Sequence, residues 1–391
     1  MKTIRDLELH GKRVLIRVDF NAPMNEQGEI TDDLRIRTVL PTLQYALEQG
    51  AKVILASHCG RPKGKRVEKY SLAPVAKRLA ELAGKEVKLS ADCVGPEAEQ
   101  DVAALNSGQV LLLENLRFYA GEEANDPEFS KKLAALADVY INDAFAVSHR
   151  AHASVAGVTE HVAEKAAGLL LHKELDYFHR AIDTPQRPLV AIVGGAKVSS
   201  KLQALNRMLD KVDKMLIGGA MANTFLKSQG VAVGASKVED DLLDSARQVL
   251  ADAKAKGVKV YLPVDVIAAD RFAPDAVCKQ VTVQDIPDGW MALDIGPASV
   301  ICFSEVLADA KTIVWNGPMG AFEIDAFARG TMALAHAVAS AHALSITGGG
   351  DSNAAVTQSG EAANISYMST GGGAFLELME GKVLPGVAAL E

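Results

Sequence analysis

Short runs of apolar, often β-branched residues alternate with longer stretches of helical period from one end of the chain to the other. In the first half Val14–Val18, Lys52–Ala56, Val110–Leu113 and Val139–Asn142 read as strands. In the second half the corresponding runs are Leu189–Val193, Lys214–Ile217, Lys259–Leu262, Thr312–Trp315 and Leu344–Thr347. Helical patterns such as Ser71–Ala83 and Val238–Lys256 lie between them. The strand runs are apolar throughout instead of alternating, so each strand is expected to be covered on both faces. Strands of that kind separated by helices predict parallel, doubly wound α/β sheets.

One segment interrupts the alternation. Leu169 to Ile182 reads as a single helix, closed by Thr184-Pro185 and Arg187-Pro188 before the next strand begins. A helix leaving through a proline-punctuated loop is a semi-rigid connector. The expected organisation is therefore a domain over residues 1–170, a connecting helix over 171–185, and a second domain over 186–379. The length of 391 residues agrees with two cores better than with one.

Composition changes the picture in two places. The net charge of −8 argues against a nucleic-acid binder, which needs a broad positive face. Within it, residues 1–70 carry 13 Lys and Arg against 9 Asp and Glu, so they stand at +4 and the remainder at −12. A local basic region in an acidic chain fits a pocket for a small anion. Cys59, Cys93, Cys278 and Cys302 lie far apart and form no Cys-x-x-Cys pair, which reads as reduced thiols. The N-terminus has no apolar signal core and no stretch is long enough for a bilayer, so a cytoplasmic protein is expected, with no membrane partner.

The candidate chemistry comes as two unlike anion-binding sets. The first half places arginines in short motifs that follow expected strands: Asp19-Phe20-Asn21 with Arg35, His58-Cys59-Gly60-Arg61, Glu114-Asn115-Leu116-Arg117, and Ser148-His149-Arg150. Guanidinium forks match phosphates and carboxylates in charge and shape. Taken singly, each has an ordinary alternative: Thr31 or Asp32 as a helix cap, Arg61 in a solvated basic loop, Arg117 or Arg150 in a surface ion pair. Together they favour a polyanionic small substrate.

The second half uses glycines instead: Gly194-Gly195, Gly218-Gly219, Gly348-Gly349-Gly350-Asp351-Ser352 and Gly371-Gly372-Gly373. Glycine turns that open helices present backbone N–H groups to polyphosphates. Lys197 and Lys201, four apart after Gly194-Gly195, are expected on one face near the start of a helix. Exposed lysines on an amphipathic helix are the plain alternative. Asp351, directly after three glycines, suits Mg²⁺ held beside phosphates. Ligands of α/β sheets sit outside the carboxyl ends of the strands, so the motifs are expected to collect on one rim of each sheet. No Walker-type phosphate loop and no dinucleotide fingerprint is present.

With these residues assembled, the chain resembles phosphoglycerate kinases over essentially its full length. The matching pieces include Arg17-Val18-Asp19-Phe20-Asn21, Ser57 to Pro62, Leu113 to Phe118, Gly194 to Val198, Trp315 to Gly320 with Glu323, Phe327 to Thr331, and Ser369 to Ala374. The resemblance implies two Rossmann-like domains joined by a hinge helix, with residues from about 380 to 391 folded back on the first. It implies reversible phosphoryl transfer between MgATP and 3-phosphoglycerate, giving 1,3-bisphosphoglycerate and ADP, in a monomeric enzyme. Another acyl-phosphate-forming kinase, or a nucleotide-binding protein without catalysis, is the alternative.

By the same resemblance the substrate set is Asp19, Phe20, Asn21, Arg35, His58, Cys59, Gly60, Arg61, Arg117 and Arg150. The nucleotide set is Lys197, Lys201, Gly218, Gly219, Asn316, Glu323, Gly349, Gly350, Asp351 and Ser352. Arg35, Lys197, Gly349 and Gly372 are the implied catalytic groups and Asp351 the implied Mg²⁺ ligand. The departures are mild: Ala22 and Cys59 stand where valine and leucine are frequent, and Ser352-Asn353 where Thr-Ala is usual.

Overall fold

A computed structural model describes all residues, Met1–Glu391. It divides into two compact units. One holds Met1–Leu175 together with Val383–Glu391, the other Asp176–Lys382.

The first unit is built on a six-stranded sheet of β1 (Arg13–Arg17), β2 (Lys52–Ala56), β3 (Val87–Leu89), β4 (Val110–Leu112), β5 (Val139–Asn142) and β6 (Glu164–Ala167). Their order is β3-β4-β2-β1-β5-β6, and every pairing is parallel. β1 is buried from Val14 to Arg17, and its Val14 and Ile16 join Val53, Leu55, Ile141 and the helix residues Ile36, Val39, Leu43, Val75 and Leu79 in one core. Continuous burial explains why these strands carry no polar alternation.

The second unit repeats the plan with β7 (Leu189–Val193), β8 (Lys214–Ile217), β9 (Lys259–Tyr261), β13 (Thr312–Asn316), β14 (Leu344–Thr347) and β15 (Tyr367–Met368), in the order β15-β14-β13-β7-β8-β9, again all parallel. It adds an antiparallel sheet with β10 (Asp265–Ala269) at its centre, between β11 (Cys278–Thr282) and β12 (Met291–Ile295). This sheet was not expected from the sequence. β11 is exposed at nearly every position, so it shows no apolar run.

In both six-stranded sheets the first strand lies between neighbours reached in opposite directions: β1 between β2 and β5, and β7 between β8 and β13. The chain therefore leaves a crevice at the carboxyl ends of β1 and β7, the usual place for a ligand in an open α/β sheet.

Three helix expectations need correction at their ends. The connector is α-helical only over Leu169–Phe178 and then widens into a π-helical turn over His179–Asp183. Thr184 precedes Pro185 and leaves the helical region, as a residue before proline tends to do. The helix expected from Val238 starts at Leu243, after a 3-10 turn over Asp240–Leu242. Glu239 is extended, and its carboxylate takes the Ser199 N–H at 3.1 Å, which holds it out of the helix. The expected helix Ser71–Ala83 starts at Ala73, because the Ser71 hydroxyl is engaged by Glu114 at 2.8 Å.

The connector is anchored at its N-terminus by Asp143, which follows β5. Asp143 Oδ1 accepts the Leu170 and Leu171 N–H groups at 2.8 and 3.1 Å. Burial raises its pKa to about 7, against the lowering effect of Thr42 and these N–H bonds. The C-terminal residues close onto the same unit: Asn142 Nδ2 donates to the Gly386 carbonyl at 3.0 Å, and Lys165 Nζ to that of Ala389 at 2.7 Å.

Candidate active-site rims

In the first unit the arginine motifs gather where β1, β2, β4 and β5 end. Asp19, two residues beyond β1, is 8% exposed and ion-pairs with Arg35, which sits in the first turn of the helix Leu34–Glu48. That turn is set by Asp32, whose Oδ1 takes the Leu34 N–H at 2.8 Å. Asn21 Oδ1 accepts the Gly60 N–H at 2.8 Å, and Arg117 Nη1 donates to the Gly60 carbonyl at 2.9 Å. Asn115 Nδ2 holds the Cys59 carbonyl at 2.7 Å. Gly60 has φ +60, and a Cβ there would meet the Tyr70 ring, so glycine is required for this turn. The Phe20 N–H rests on Ser57 Oγ at 2.8 Å.

Electrostatics separate the roles within this rim. His58 is 3% exposed, and burial holds its pKa well below the ordinary value despite Asp19 at 3.8 Å. It is therefore neutral at pH 7, and the contact with Asp19 is not an ion pair. Burial pushes the Asp19 carboxyl up, but its charged neighbours outweigh burial and keep it ionised. With His58 neutral, Arg35 and Arg17 supply that positive field. Arg61 is exposed and Arg150 half-buried, with Arg150 Nε donating to His149 Nε2 at 3.2 Å. Cys59 is buried, which pushes its thiol up to about 11 and leaves it unreactive.

Beneath the rim lies a charged network that the motif reading did not single out. Arg17 is fully buried; its Nε donates to Ser154 Oγ at 2.7 Å and its Nη2 contacts His58 Nδ1 at 3.3 Å. Ser154 in turn donates to the buried Glu122 at 2.6 Å. The signal was present: an arginine inside the apolar run Val14–Val18 must be buried, and a buried charge needs partners.

In the second unit the glycine motifs meet at the carboxyl ends of β7, β8, β13 and β14. The Gly195 N–H donates to the Pro318 carbonyl, and that of Gly219 to the Met319 carbonyl, each at 3.0 Å. Added Cβ atoms at Gly194 or Gly218 would run into Pro318 or Met319, so glycine permits this close packing of loops. Asn316 Nδ2 donates to the Gly348 carbonyl at 2.7 Å, and Ser352 Oγ accepts the Gly317 N–H at 2.6 Å. The helices Gly350–Gln358 and Gly372–Met379 both begin here, with a Cβ on Gly372 only 3.2 Å from Gly349 Cα. Two helix N-termini with unpaired first-turn N–H groups thus converge on one spot.

The two lysines do not share a helix face. The helix begins at Leu202, with Lys201 as its N-cap and Lys197 in the preceding loop. Ser199 is drawn off by Glu239, and serines there compete with helix formation. Lys201 is largely buried; its Nζ donates to the Asn316 carbonyl at 2.9 Å and also to Asn316 Oδ1. Burial lowers its pKa to about 8, opposed by Asp351. Lys197 is exposed.

Beside these helix starts opens a cavity of about 450 Å³, lined by Gly195, Gly219, Phe272, Leu293, Gly320, Glu323 and Asp351 among others. Its lining mixes apolar residues, Phe272 and Leu293 among them, with the charged Lys237, Glu323 and Asp351, a composition that suits a nucleotide. Leu293 lies in β12 of the antiparallel sheet that sequence reading missed and Phe272 just beyond β10, and so they were missed with it.

The comparisons agree with this geometry. Residues 4–382 match the family model for phosphoglycerate kinase. The chain belongs to the phosphoglycerate kinase family. A phosphoglycerate kinase of Desulfotalea psychrophila is 69% identical over 391 residues, covering all of both chains. One from Synechococcus elongatus is 61% identical over 387 residues, covering 98% of this chain and 96% of that one. The solved phosphoglycerate kinase of Coxiella burnetii superposes with TM-score 0.91 at 45% identity, covering 99% and 98% of the two chains. That of Pyrococcus horikoshii does so with TM-score 0.86 at 32% identity, covering 100% and 98%. This kinase is a phosphotransferase with a carboxyl group as acceptor, interconverting 3-phosphoglycerate and ATP with 1,3-bisphosphoglycerate and ADP. No helix is long and apolar enough to cross a membrane.

Proposed function

We propose that the arginine rim of the first unit holds the phosphoglycerate and the glycine rim of the second holds the nucleotide. The observation that carries the reading is the cavity bordered by Gly195, Gly219, Glu323 and Asp351, beside two converging helix N-termini and with Lys197 and Lys201 following the Gly194-Gly195 turn. Arg61, Arg117 and Arg150 suit the phosphate of the three-carbon acid, and Asp19 and Asn21 its hydroxyl. His58, held neutral, suits a hydrogen bond to the ligand without adding charge. In the second unit Phe272 and Leu293 suit a base, Glu323 a ribose, and the first-turn N–H groups with Lys197 and Lys201 the phosphates.

No cluster of metal-ligating side chains is present. Asp351 is exposed in the first turn of its helix, beside the expected phosphates. That donor set fits Mg²⁺ bound through one carboxylate plus substrate phosphates. Bound there, the ion would neutralise phosphate charge.

The acceptor is a carboxylate, already ionised at neutral pH with a free pKa of about 4, so no general base is needed. What opposes transfer is repulsion between the carboxylate and the triphosphate. Positioning and positive charge overcome it, and Arg35, Lys197 and the N–H groups near Gly349 and Gly372 supply both. A coupled assay tests the reading: ATP should form from 1,3-bisphosphoglycerate and MgADP. Formation of ATP that is insensitive to loss of Arg61 or Glu323 would overturn the assignment of the rims.

The two rims belong to different units, so transfer requires them to meet around both substrates and to exclude water. The hinge candidates are the connector Leu169–Phe178 with its π-helical turn, and the stretch from Gly371 to Gly373. Small-angle scattering should show compaction with 3-phosphoglycerate and nucleotide bound together, and less with either alone. An unchanged radius of gyration in all four states would rule closure out. The unpaired cysteines agree with a reducing cytoplasm, and a single chain holds every group the reaction needs, in keeping with a monomer.

A further inference from the structure

A buried carboxylate stands against the wall of the cavity and takes no part in the proposed transfer. Asp294, in β12, is 4% exposed, while its neighbours Ala292 and Leu293 line the cavity. Its Oδ2 accepts the Gly330 N–H at 2.7 Å and its Oδ1 the Ile295 N–H at 2.9 Å. Gly330 lies in the first turn of the helix Arg329–Ser340, where a negative charge meets the positive end of the helix dipole. A Cβ added at Gly320 or at Gly330 would collide with this carboxylate, so Asp294 packs between the two backbones.

The same helix turn and strand hold the cavity wall. Thr331 Oγ1 accepts the Met319 and Gly320 N–H groups at 3.0 and 3.2 Å. The Ala321 N–H donates to the Leu293 carbonyl at 2.9 Å. Met319 to Ala321 is thereby suspended between two elements whose mutual position Asp294 fixes. Gly320, Ala321 and Glu323 border the cavity.

We infer that Asp294 is a positioning residue for nucleoside recognition: it joins β12 to the first turn of the helix Arg329–Ser340 and so fixes the Gly320–Glu323 wall. The inference rests on the proposed assignment of this cavity to the nucleotide. A residue that served packing alone would be apolar, since burying a carboxylate is costly unless its oxygens are hydrogen-bonded. Burial raises the Asp294 pKa to about 7, opposed by the Gly330 and Ile295 N–H groups, and no charged side chain contributes. The charged residues on the surrounding loop and helix, Glu323, Asp325 and Arg329, are exposed. Asp265 on the adjacent β10 is engaged by the Ala298 and Ser299 N–H groups at 3.0 and 2.7 Å. Ionised Asp294 makes charge-assisted bonds to the helix turn; protonation weakens them.

The test uses the full enzyme and three ligands. Asp294→Asn keeps the shape and removes the charge. It should weaken MgADP binding by about tenfold, the equivalent of one charged hydrogen bond, and leave 3-phosphoglycerate binding unchanged. Adenosine, which has no phosphate to titrate, gives the second reading. Its affinity for the wild type should fall as pH drops through neutrality, and that of Asp294→Asn should be flat. Equal MgADP affinity in Asp294→Asn and wild type, while Lys201→Ala weakens it, would overturn the role of Asp294 alone. MgADP binding insensitive to Lys201→Ala and Glu323→Ala as well would overturn the site assignment beneath it. Should Asp294→Asn not fold, a flat adenosine profile in the wild type would still refute the inference.

Discussion

Replacing Arg35 with alanine should lower turnover by about 10²–10³ at saturating substrates, the usual cost of removing charge stabilisation from a transition state. Arg35 is not a core residue. Its side chain is 37% exposed, and its partner is the rim residue Asp19. The arginine end of the pair is open to solvent, which screens it, so the pair contributes on the order of 1 kcal/mol and the melting temperature should move only slightly. Asp19 keeps Arg17 nearby, and so it is not left as an isolated buried charge. Lysine at the position should recover part of the rate, since it restores the charge without the planar fork. Turnover measured together with thermal denaturation decides the matter. Unchanged turnover in a folded Arg35→Ala protein would remove Arg35 from the chemistry and leave it a partner of Asp19.

The parallel sheets were legible where their strands are apolar on both faces; β3, β6 and β15, which are short or partly exposed, were not read. β1, β2, β5, β7, β8, β13 and β14 fall within a residue of the runs read from the sequence. The antiparallel sheet was not legible. β11 is exposed and polar, so periodicity has nothing to act on there, while β10 and β12 are mostly buried but short runs broken by Asp265 and Asp294; the cavity residues near that sheet were lost with them. The site motifs were legible because parallel sheets put every strand-to-helix turn on one rim, and the turns carry arginines or glycines. What local pattern did not disclose was which turns are helical. Gly194 to Lys201 reads as a helix start, yet Glu239, some 40 residues later, captures Ser199 and delays the helix to Leu202. Tertiary contacts of that kind leave no trace in local sequence.

The corrected placement of the two lysines predicts that their losses differ in kind. Lys197 is exposed in the loop, so its removal should leave stability unchanged. If it meets the migrating phosphoryl group, Lys197→Ala should cost about 10²-fold in turnover with little effect on the Michaelis constant for ATP. Lys201 ties β7's loop to the end of β13 through Asn316 and is largely buried. Lys201→Ala should therefore raise the Michaelis constant for ATP, lower turnover, and also lower the melting temperature, because a buried carbonyl loses its donor. The lowered Lys201 pKa adds a pH test. Its ordinary value is 10.5 and its folded value about 8, so the free enzyme loses this charge as pH rises through about 8. Bound phosphates should restore it, making ATP affinity fall on the alkaline side in wild type and remain flat in Lys201→Ala. Small and equal effects from both substitutions, with identical pH profiles, would remove both lysines from nucleotide binding and transfer.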